Sequence, residues 1–222
     1  MFHVEQSSRH RNFWDIFCEG SRKLGWTFSE NILELFWSYY EELCHWEKAV
    51  NLTGLKNERE KIVLLFLDSL NAQSFIAEKQ YQRIVDIGAG AGFPGIPLKI
   101  VYPEKEMYLV EARAKKAAFL LNVVGKLNLS GTNVIQQRIE DIAKHGSFNE
   151  KCDLAMIKGV NSSHVTPYLN GIIHENGKFL VFRSRKSDVT FTNMNMRKLK
   201  EFSYELPFGF GERTIELLEF KK

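Results

Sequence analysis

The first 75 residues carry apolar side chains at helical spacing and show no alternating strand pattern. Between positions 29 and 50 the residues that share this spacing are Ile32, Leu35, Phe36, Tyr39, Leu43 and Trp46. Ser29 precedes them and is a residue type that favours helix N-termini. A second apolar run at 59–75 follows the turn-like NLTGLKN. The pattern predicts two helices whose aromatic stripe forms core.

From position 83 onward, short apolar runs alternate with helical stretches. The predicted strands are 84–87, 107–111, 132–136, 153–157 and 178–182, and the predicted helices are 96–101, 114–127 and 163–173. This order predicts an α/β fold with a parallel sheet and helices on both faces. Residues 202–208 and 213–220 are expected to add an antiparallel edge. We therefore expect a helical N-terminal extension, 1–78, packed on a domain at 79–222.

Composition narrows the class of protein. The chain has 222 residues, of which 44% are hydrophobic and 26% charged, as is ordinary for a soluble globular protein. No apolar run reaches 18 residues, and the N-terminus lacks the apolar core of a signal peptide. The widely spaced Cys18, Cys44 and Cys152 argue against a disulfide framework or a cysteine-rich zinc site. We expect a cytoplasmic protein with no membrane contact and no metal, and its net charge of +3 permits a nucleic-acid partner without requiring one.

The stretch VDIGAGAGFPG, residues 85–95, follows the first predicted strand directly. In open α/β sheets, ligands bind beyond the carboxyl ends of the strands. Gly88, Gly90 and Gly92 allow the turn to adopt dihedral angles that side chains disfavour and let a ligand approach the backbone. Asp86 is expected to organise this loop through local N–H groups, with direct cofactor contact as the alternative.

Two ligand classes compete for this loop. Its last three glycines match the dinucleotide pattern G-x-G-x-x-G, but Gly88 already follows the strand, so the match begins two residues late. The order apolar-Asp-apolar-Gly-x-Gly-x-Gly resembles instead the first motif of class I S-adenosylmethionine-dependent methyltransferases. Glu111 ends the second predicted strand 23 residues after Gly88, a separation typical of an acidic residue that binds ribose hydroxyls.

Five stretches together make a more specific resemblance. They are HWEKAVNLTGL (45–55), LDSL (67–70), VDIGAGAGFPGIPLKIVYP (85–103), EARAKKAAFLLNVVGKLNL (111–129) and QRIEDI (137–142). They resemble the glucose-inhibited division protein B family, the small-subunit ribosomal RNA guanine-N7 methyltransferases. The resemblance implies a class I methyltransferase fold, Rossmann-like with a mostly parallel seven-stranded sheet. It also implies S-adenosyl-L-methionine as cofactor and a guanosine of small-subunit (16S) ribosomal RNA as substrate.

The resemblance also implies which residues contact the cofactor. Together with the loop residues Asp86, Gly90 and Gly92, they are Gly88, Phe93, Glu111, Ala112, Arg113, Ile139, Glu140 and Lys158. Phe93 would pack on the cofactor, while Ile139 and Glu140 would bracket the adenine. Lys158 follows the fourth predicted strand, where it would position substrate or cofactor; a surface lysine is the alternative.

Four segments depart from the family pattern. The chain has Leu-Leu at 64–65 in place of Arg-His, and Ile-Lys-Gly at 157–159 in place of Ser-Arg-Ala. It has Arg-Ser at 183–184 in place of Lys-Gly, and Gly-Glu-Arg-Thr at 211–214 in place of Gly-x-x-Arg-His. Lysine for arginine keeps the charge but loses the bidentate fork. The departures therefore concern the RNA target more than the chemistry.

Basic side chains provide the expected contacts with RNA phosphates. The candidates are Lys115, Lys116, Arg183, Arg185, Lys186 and Arg213. The expected partner is small-subunit ribosomal RNA or the small ribosomal subunit, bound by a monomer. Alternatives are a divergent methyltransferase for another RNA site and a cofactor-binding, RNA-associated protein without catalysis. A nicotinamide dehydrogenase ranks last because the glycine register does not fit.

Overall fold

A computed structural model describes residues 2–77, 81–145, 151–184 and 195–221 of the chain. The helical part before the sheet comprises α1 (Phe2–Lys23), α2 (Glu30–Trp46), α3 (Glu58–Lys61), a π-helix (Ile62–Leu67), α4 (Asp68–Leu70) and α5 (Gln73–Ile76). The helix predicted at 59–75 is thus interrupted, because its middle turn is a π-helix. Ser29 occupies the N-cap position of α2, although its side chain makes no capping hydrogen bond.

Seven strands form one sheet. They are β1 (Arg83–Ile87), β2 (Glu106–Val110), β3 (Thr132–Ile135), β4 (Cys152–Lys158), β5 (Ile173–Arg183), β6 (Met196–Leu206) and β7 (Gly211–Phe220). Their spatial order is β3-β2-β1-β4-β5-β7-β6. Strands β1 to β5 pair in parallel, whereas β7 runs antiparallel to both β5 and β6. The predicted mostly parallel sheet with an antiparallel edge is confirmed.

Helices connect the parallel strands. They are α6 (Gly95–Val101), α7 (Ala114–Lys126), α8 (Ile139–His145) and α9 (Ser162–Val165), and a 3-10 turn (Thr166–Gly171) follows α9. The helix predicted at 163–173 is shorter than expected, because Pro167 lies at the start of the 3-10 turn and β5 already begins at Ile173. The pattern did not reveal α8, which has only seven residues.

The sheet separates two hydrophobic layers. Along β1, Ile84 faces one layer, whereas Val85 and Ile87 face the other. The first layer also contains Phe36 of α2 and Phe66 of the π-helix, so the aromatic stripe is core, as predicted. The expected domain boundary lies outside the described residues and stays a prediction. None of the helices in the described ranges combines the length and apolarity needed to cross a bilayer.

Candidate functional site

The glycine loop is tied to the end of β2. The backbone N–H groups of Gly88 and Ala89 both donate to the carbonyl of Val110 at 2.9 Å. Gly88 has φ +75°, and a Cβ there would lie 2.7 Å from Cγ2 of Val160, which follows β4. The loop after β1 therefore meets the last residue of β2 and the segment after β4.

Gly90 and Gly92 differ in what surrounds them, although both have positive φ, at +61° and +90°. A Cβ at Gly92 would lie 2.5 Å from Cδ1 of Ile96 and 2.7 Å from the Tyr39 hydroxyl. A Cβ at Gly90 would approach no atom of its surroundings closer than 3.7 Å. Packing therefore requires glycine at 92, whereas a Cβ at Gly90 would make only ordinary contacts, the nearest with the Gly88 carbonyl and with Nζ of Lys116.

Asp86, in β1, holds the end of the glycine loop by a hydrogen bond. Its side chain is fully buried, and Oδ2 accepts a hydrogen bond from the N–H of Gly95 at 2.9 Å. Burial raises the pKa of this carboxyl to about 7, opposed by the Gly95 N–H and by the charge of Lys158. The loop-organising role expected of Asp86 agrees with these contacts, and its direct contact with a cofactor stays a prediction.

Glu111 joins the loops that follow β1 and β2. One carboxylate oxygen accepts from the Gly90 N–H at 3.0 Å, and the other accepts from the Arg113 N–H at 2.8 Å. Glu111 is buried, whereas Ala112 and Arg113 beside it are exposed. The predicted ribose acceptor thus lies at the carboxyl edge of the sheet, against the glycine loop.

The N-terminal helices reach this loop through aromatic residues. The hydroxyl of Tyr39 donates to the carbonyl of Ala91. The ring of Phe93 stacks on Tyr39 with centroids 5.0 Å apart and packs edge-on against Phe66 at 4.9 Å. Phe93 therefore anchors the loop to the aromatic core, and its packing on a cofactor stays a prediction.

Ile139 and Glu140 form the first turn of α8. Ile139 is buried in the second hydrophobic layer, and the Glu140 carboxylate lies 3.0 Å from Nε2 of His164. This places them after β3, where the adenine contact was expected, and that role stays a prediction. Within the described ranges, no three His, Cys, Asp or Glu side chains cluster as metal ligands would.

The predicted RNA-binding residues occupy different environments. Lys115 is exposed, whereas Lys116 donates to the carbonyl of Leu52 at 2.8 Å, and burial lowers its pKa. Lys116 therefore connects the NLTGLKN segment to α7.

Arg183 lies at the end of β5, and its Nε donates to Glu216 of β7 at 2.6 Å in a largely buried ion pair. Nη1 of Arg213 donates to the carbonyl of Glu212 at 2.8 Å. Arg185 and Lys186 lie outside the described residues. Their predicted RNA contacts, like those of the other basic residues, stay predictions.

Lys158 makes a buried ion pair that the sequence did not reveal. Its Nζ lies 3.1 Å from Oδ2 of Asp68 and donates to the carbonyl of Leu64 at 2.5 Å. Oδ1 of Asp68 accepts from the hydroxyl of Tyr204 at 2.6 Å. Burial and the Asp68 charge raise the pKa of Tyr204 far above its usual value, so the phenol stays a donor. The only sequence signal for Asp68 was the LDSL stretch, and none pointed to Tyr204.

Lys158, Asp68 and Leu64 border a cavity of about 590 Å³ beyond the carboxyl ends of β4 and β5. Its lining includes Thr53, Asp68, Lys158, Val160, Phe182 and Arg213. Val160 also contacts the glycine loop, so the cavity adjoins the predicted cofactor site. The volume lies within the range of roughly 300–1,000 Å³ that is common for small-molecule sites.

The chain matches a known protein family over most of its length. A family model described as rRNA small subunit methyltransferase G matches residues 32–215. The ribosomal RNA small subunit methyltransferase G of Thermoanaerobacter pseudethanolicus is 33% identical over 193 residues, which cover 86% of this chain and 80% of that protein. The same-named protein of Fusobacterium nucleatum is 34% identical over 216 residues, covering 94% and 92%.

Solved structures share the fold at low sequence identity. A mutant of MtNAS in complex with S-adenosylmethionine superimposes with a TM-score of 0.59 at 18% identity, covering 83% of this chain and 72% of that one. TrmN from Thermus thermophilus has a TM-score of 0.54 at 11% identity, covering 72% and 53%. The predicted class I methyltransferase fold is confirmed.

Proposed function

Since the chain belongs to the rRNA small subunit methyltransferase G family, we propose that it transfers a methyl group from S-adenosyl-L-methionine to N7 of a guanosine in small-subunit (16S) ribosomal RNA. The observation that carries this proposal is the family match over residues 32–215, which spans the site from Tyr39 on α2 to Arg213 on β7. The family resemblance read from the sequence motifs is thereby confirmed.

The residues after β1 and β2 fit the cofactor. The backbone at Gly90 is open to a ligand, and the adjacent Glu111 carboxylate provides acceptor oxygens and negative charge. Glu111 would hold the ribose hydroxyls, the loop from Gly88 to Gly92 would lie against the aminoacyl part, and Ile139 with Glu140 would bracket the adenine. When bound, the cofactor supplies a methyl group activated by a positively charged sulfur.

Guanine N7 needs little chemical help from the protein. It carries an in-plane lone pair and no proton, so its methylation requires no general base. No histidine is among the described residues that line the cavity beside Lys158. Catalysis would rest on holding N7 in line with the methyl group, and such orientation contributes about 7–11 kcal/mol in favourable cases. Lys158 would position the base from the end of β4.

The RNA would bind at the carboxyl edge of the sheet. The exposed Lys115 and the cavity-lining Arg213 would neutralise phosphates. Because N7 faces the deep, narrow major groove of an RNA helix, the target must be unpaired or turned out of its helix. We propose that the protein acts as a cytoplasmic monomer on ribosomal RNA or on the small ribosomal subunit.

Mass spectrometry of ribosomal RNA nucleosides, from strains with and without the gene, tests this function. The expected result is the loss of one 7-methylguanosine from small-subunit RNA and its return with the gene. Loss of a different methylated nucleotide would favour a divergent methyltransferase, since the 64–65 and 157–159 segments depart from the family pattern. Cofactor binding without any lost modification would favour a binding protein without catalysis.

A further inference from the structure

We propose that Lys158 reads the O6 oxygen of the target guanine, and that Asp68 and Tyr204 hold its ammonium group in position for this readout. The inference rests on the proposed function and names a specificity-determining residue together with two residues that position it.

The first argument is the number of donors on Lys158. A lysine ammonium group has three N–H donors. Among the described residues, its acceptors are the Leu64 carbonyl at 2.5 Å and Oδ2 of Asp68 at 3.1 Å. The side chain also borders the cavity. The third donor is therefore available to an acceptor on a ligand that enters the cavity.

The second argument is the restraint on Asp68. Both of its carboxylate oxygens are engaged, Oδ2 by Lys158 and Oδ1 by the Tyr204 hydroxyl at 2.6 Å. Tyr204 lies on β6 opposite Arg213 of β7, so the backbone that carries its phenol is fixed in the antiparallel edge of the sheet. Asp68 is 5% exposed, whereas the side chain of Lys158 is 15% exposed and borders the cavity, so the carboxylate is buried while the ammonium group stays accessible. A carboxylate held at both oxygens restricts where the ammonium group of Lys158 lies.

The third argument is the chemistry of the base. On the edge that carries N7, guanine has the acceptor O6, whereas adenine has a donor amino group at the equivalent position. A cationic donor beside N7 therefore favours guanine and opposes adenine. Lysine provides one charged hydrogen bond here and lacks the two-pronged contact of arginine. This geometry predicts selection for the O6 oxygen itself.

A target lacking only O6 tests this readout. The probe is 16S RNA carrying 2-aminopurine, which keeps N7 but lacks O6, at the methylated guanosine, assembled into small subunits from a strain lacking the gene. We expect the wild-type enzyme to lose roughly 10- to 100-fold in kcat/KM on this probe, the usual effect of losing a charged hydrogen bond. The Lys158→Met/Asp68→Asn double variant, which removes the ion pair as a unit, should be slower on guanosine and should discriminate less than about threefold.

The positioning role of Tyr204 has its own matched test. Tyr204→Phe should lower the discrimination between guanosine and 2-aminopurine at least threefold, by loosening Asp68, while leaving the Kd for S-adenosylmethionine unchanged. Tyr102→Phe is the control, because it also removes one phenol hydroxyl. That hydroxyl donates to the carbonyl of Gln73 at 3.3 Å, and Tyr102 does not line the cavity. The comparison of Tyr204→Phe with Tyr102→Phe tests the positioning role even if the Lys158→Met/Asp68→Asn variant is inactive.

The outcomes separate the two proposals. If the wild-type enzyme forms 7-methylguanosine but the Lys158→Met/Asp68→Asn variant keeps the full preference for guanosine, the O6 readout is wrong and the proposed function stands. Unchanged discrimination in Tyr204→Phe would overturn the positioning role. If the wild-type enzyme forms no 7-methylguanosine on the unmodified RNA, the proposed function itself fails and the readout fails with it.

Discussion

The hydroxyl of Tyr39 on α2 donates a hydrogen bond to the carbonyl of Ala91 in the glycine loop, although 52 residues separate them in the chain. Both residues are buried, and the ring of Tyr39 stacks on Phe93 in the same loop. The helical N-terminal part of the protein therefore supports the loop that is proposed to hold the cofactor.

Tyr39→Phe should destabilise the protein and weaken cofactor binding together. The variant keeps the ring but removes the donor to the Ala91 carbonyl, which should lower the free energy of unfolding by about 1–3 kcal/mol. Denaturant unfolding and calorimetric titration with S-adenosylmethionine measure the two effects. Tyr102→Phe serves as the control. If Tyr39→Phe changes neither the free energy of unfolding nor the affinity for S-adenosylmethionine more than Tyr102→Phe does, the contact does not support the loop.

Alanine at Gly90 and at Gly92 should act on different properties. A Cβ at Gly92 meets Ile96 and Tyr39, so Gly92→Ala should destabilise the fold by roughly 1–3 kcal/mol from overpacking, in addition to backbone strain. Gly90→Ala adds its Cβ at ordinary contact distance from its neighbours and should cost only about 1–2 kcal/mol of stability, from its positive φ. Its main effect should be an affinity for S-adenosylmethionine at least about tenfold lower, by calorimetry. Full affinity in folded Gly90→Ala would place the cofactor elsewhere.

Glu111→Ala should weaken cofactor binding by about 1–3 kcal/mol, because the ribose hydroxyls lose a charged acceptor. The variant also releases the N–H groups of Gly90 and Arg113, which the carboxylate holds. Glu111→Gln keeps one acceptor oxygen and serves as the comparison, with an intermediate effect expected. A calorimetric change within titration error for both variants would contradict ribose binding by Glu111.

Asp86 should make stability fall as pH rises from about 4 to about 7. Its pKa is about 7 in the folded protein against its ordinary value of 3.8, so the folded state binds the extra proton between these pH values. The contribution is fully present below about pH 4 and is lost towards pH 7, by at most about 1.4 kcal/mol per pH unit. Asp86→Asn removes this dependence, and its stability should improve relative to the wild type from pH 5 to pH 8. Urea unfolding at each pH measures the difference, and parallel curves would contradict the raised pKa.

Lys115→Ala should weaken RNA binding, whereas Arg183→Ala should mainly destabilise the fold. Lys115 is exposed, so its loss should reduce the slope of log affinity against log salt by about 0.7–0.9, the effect of one phosphate contact. Arg183 pairs with the buried Glu216, so Arg183→Ala should mainly lower the free energy of unfolding, by roughly 1–3 kcal/mol. Filter binding of 16S RNA at several salt concentrations tests this. An unchanged slope for Lys115→Ala would remove it from the RNA surface.

The sequence alone determined the main elements of the fold and one side of the site. Alternating strands and helices, the glycine loop and the spacing to Glu111 are local patterns, since strand periodicity and backbone freedom depend on neighbouring residues. These predictions agree with the sheet that forms around β1 and with the contact between Gly90 and Glu111. The π-helix at 62–67 was missed because it shares its apolar pattern with an ordinary helix.

Only the tertiary structure decided the other side of the site. Tyr204 and Asp68 are 136 residues apart, and Lys158 reaches the Leu64 carbonyl across 94 residues. Their contacts depend on the strand order β1-β4-β5-β7-β6 and on the π-helix packing against that edge of the sheet. No local pattern encodes these distances, because a buried carboxylate finds its ammonium and phenol partners only after the strands have paired and water has been excluded.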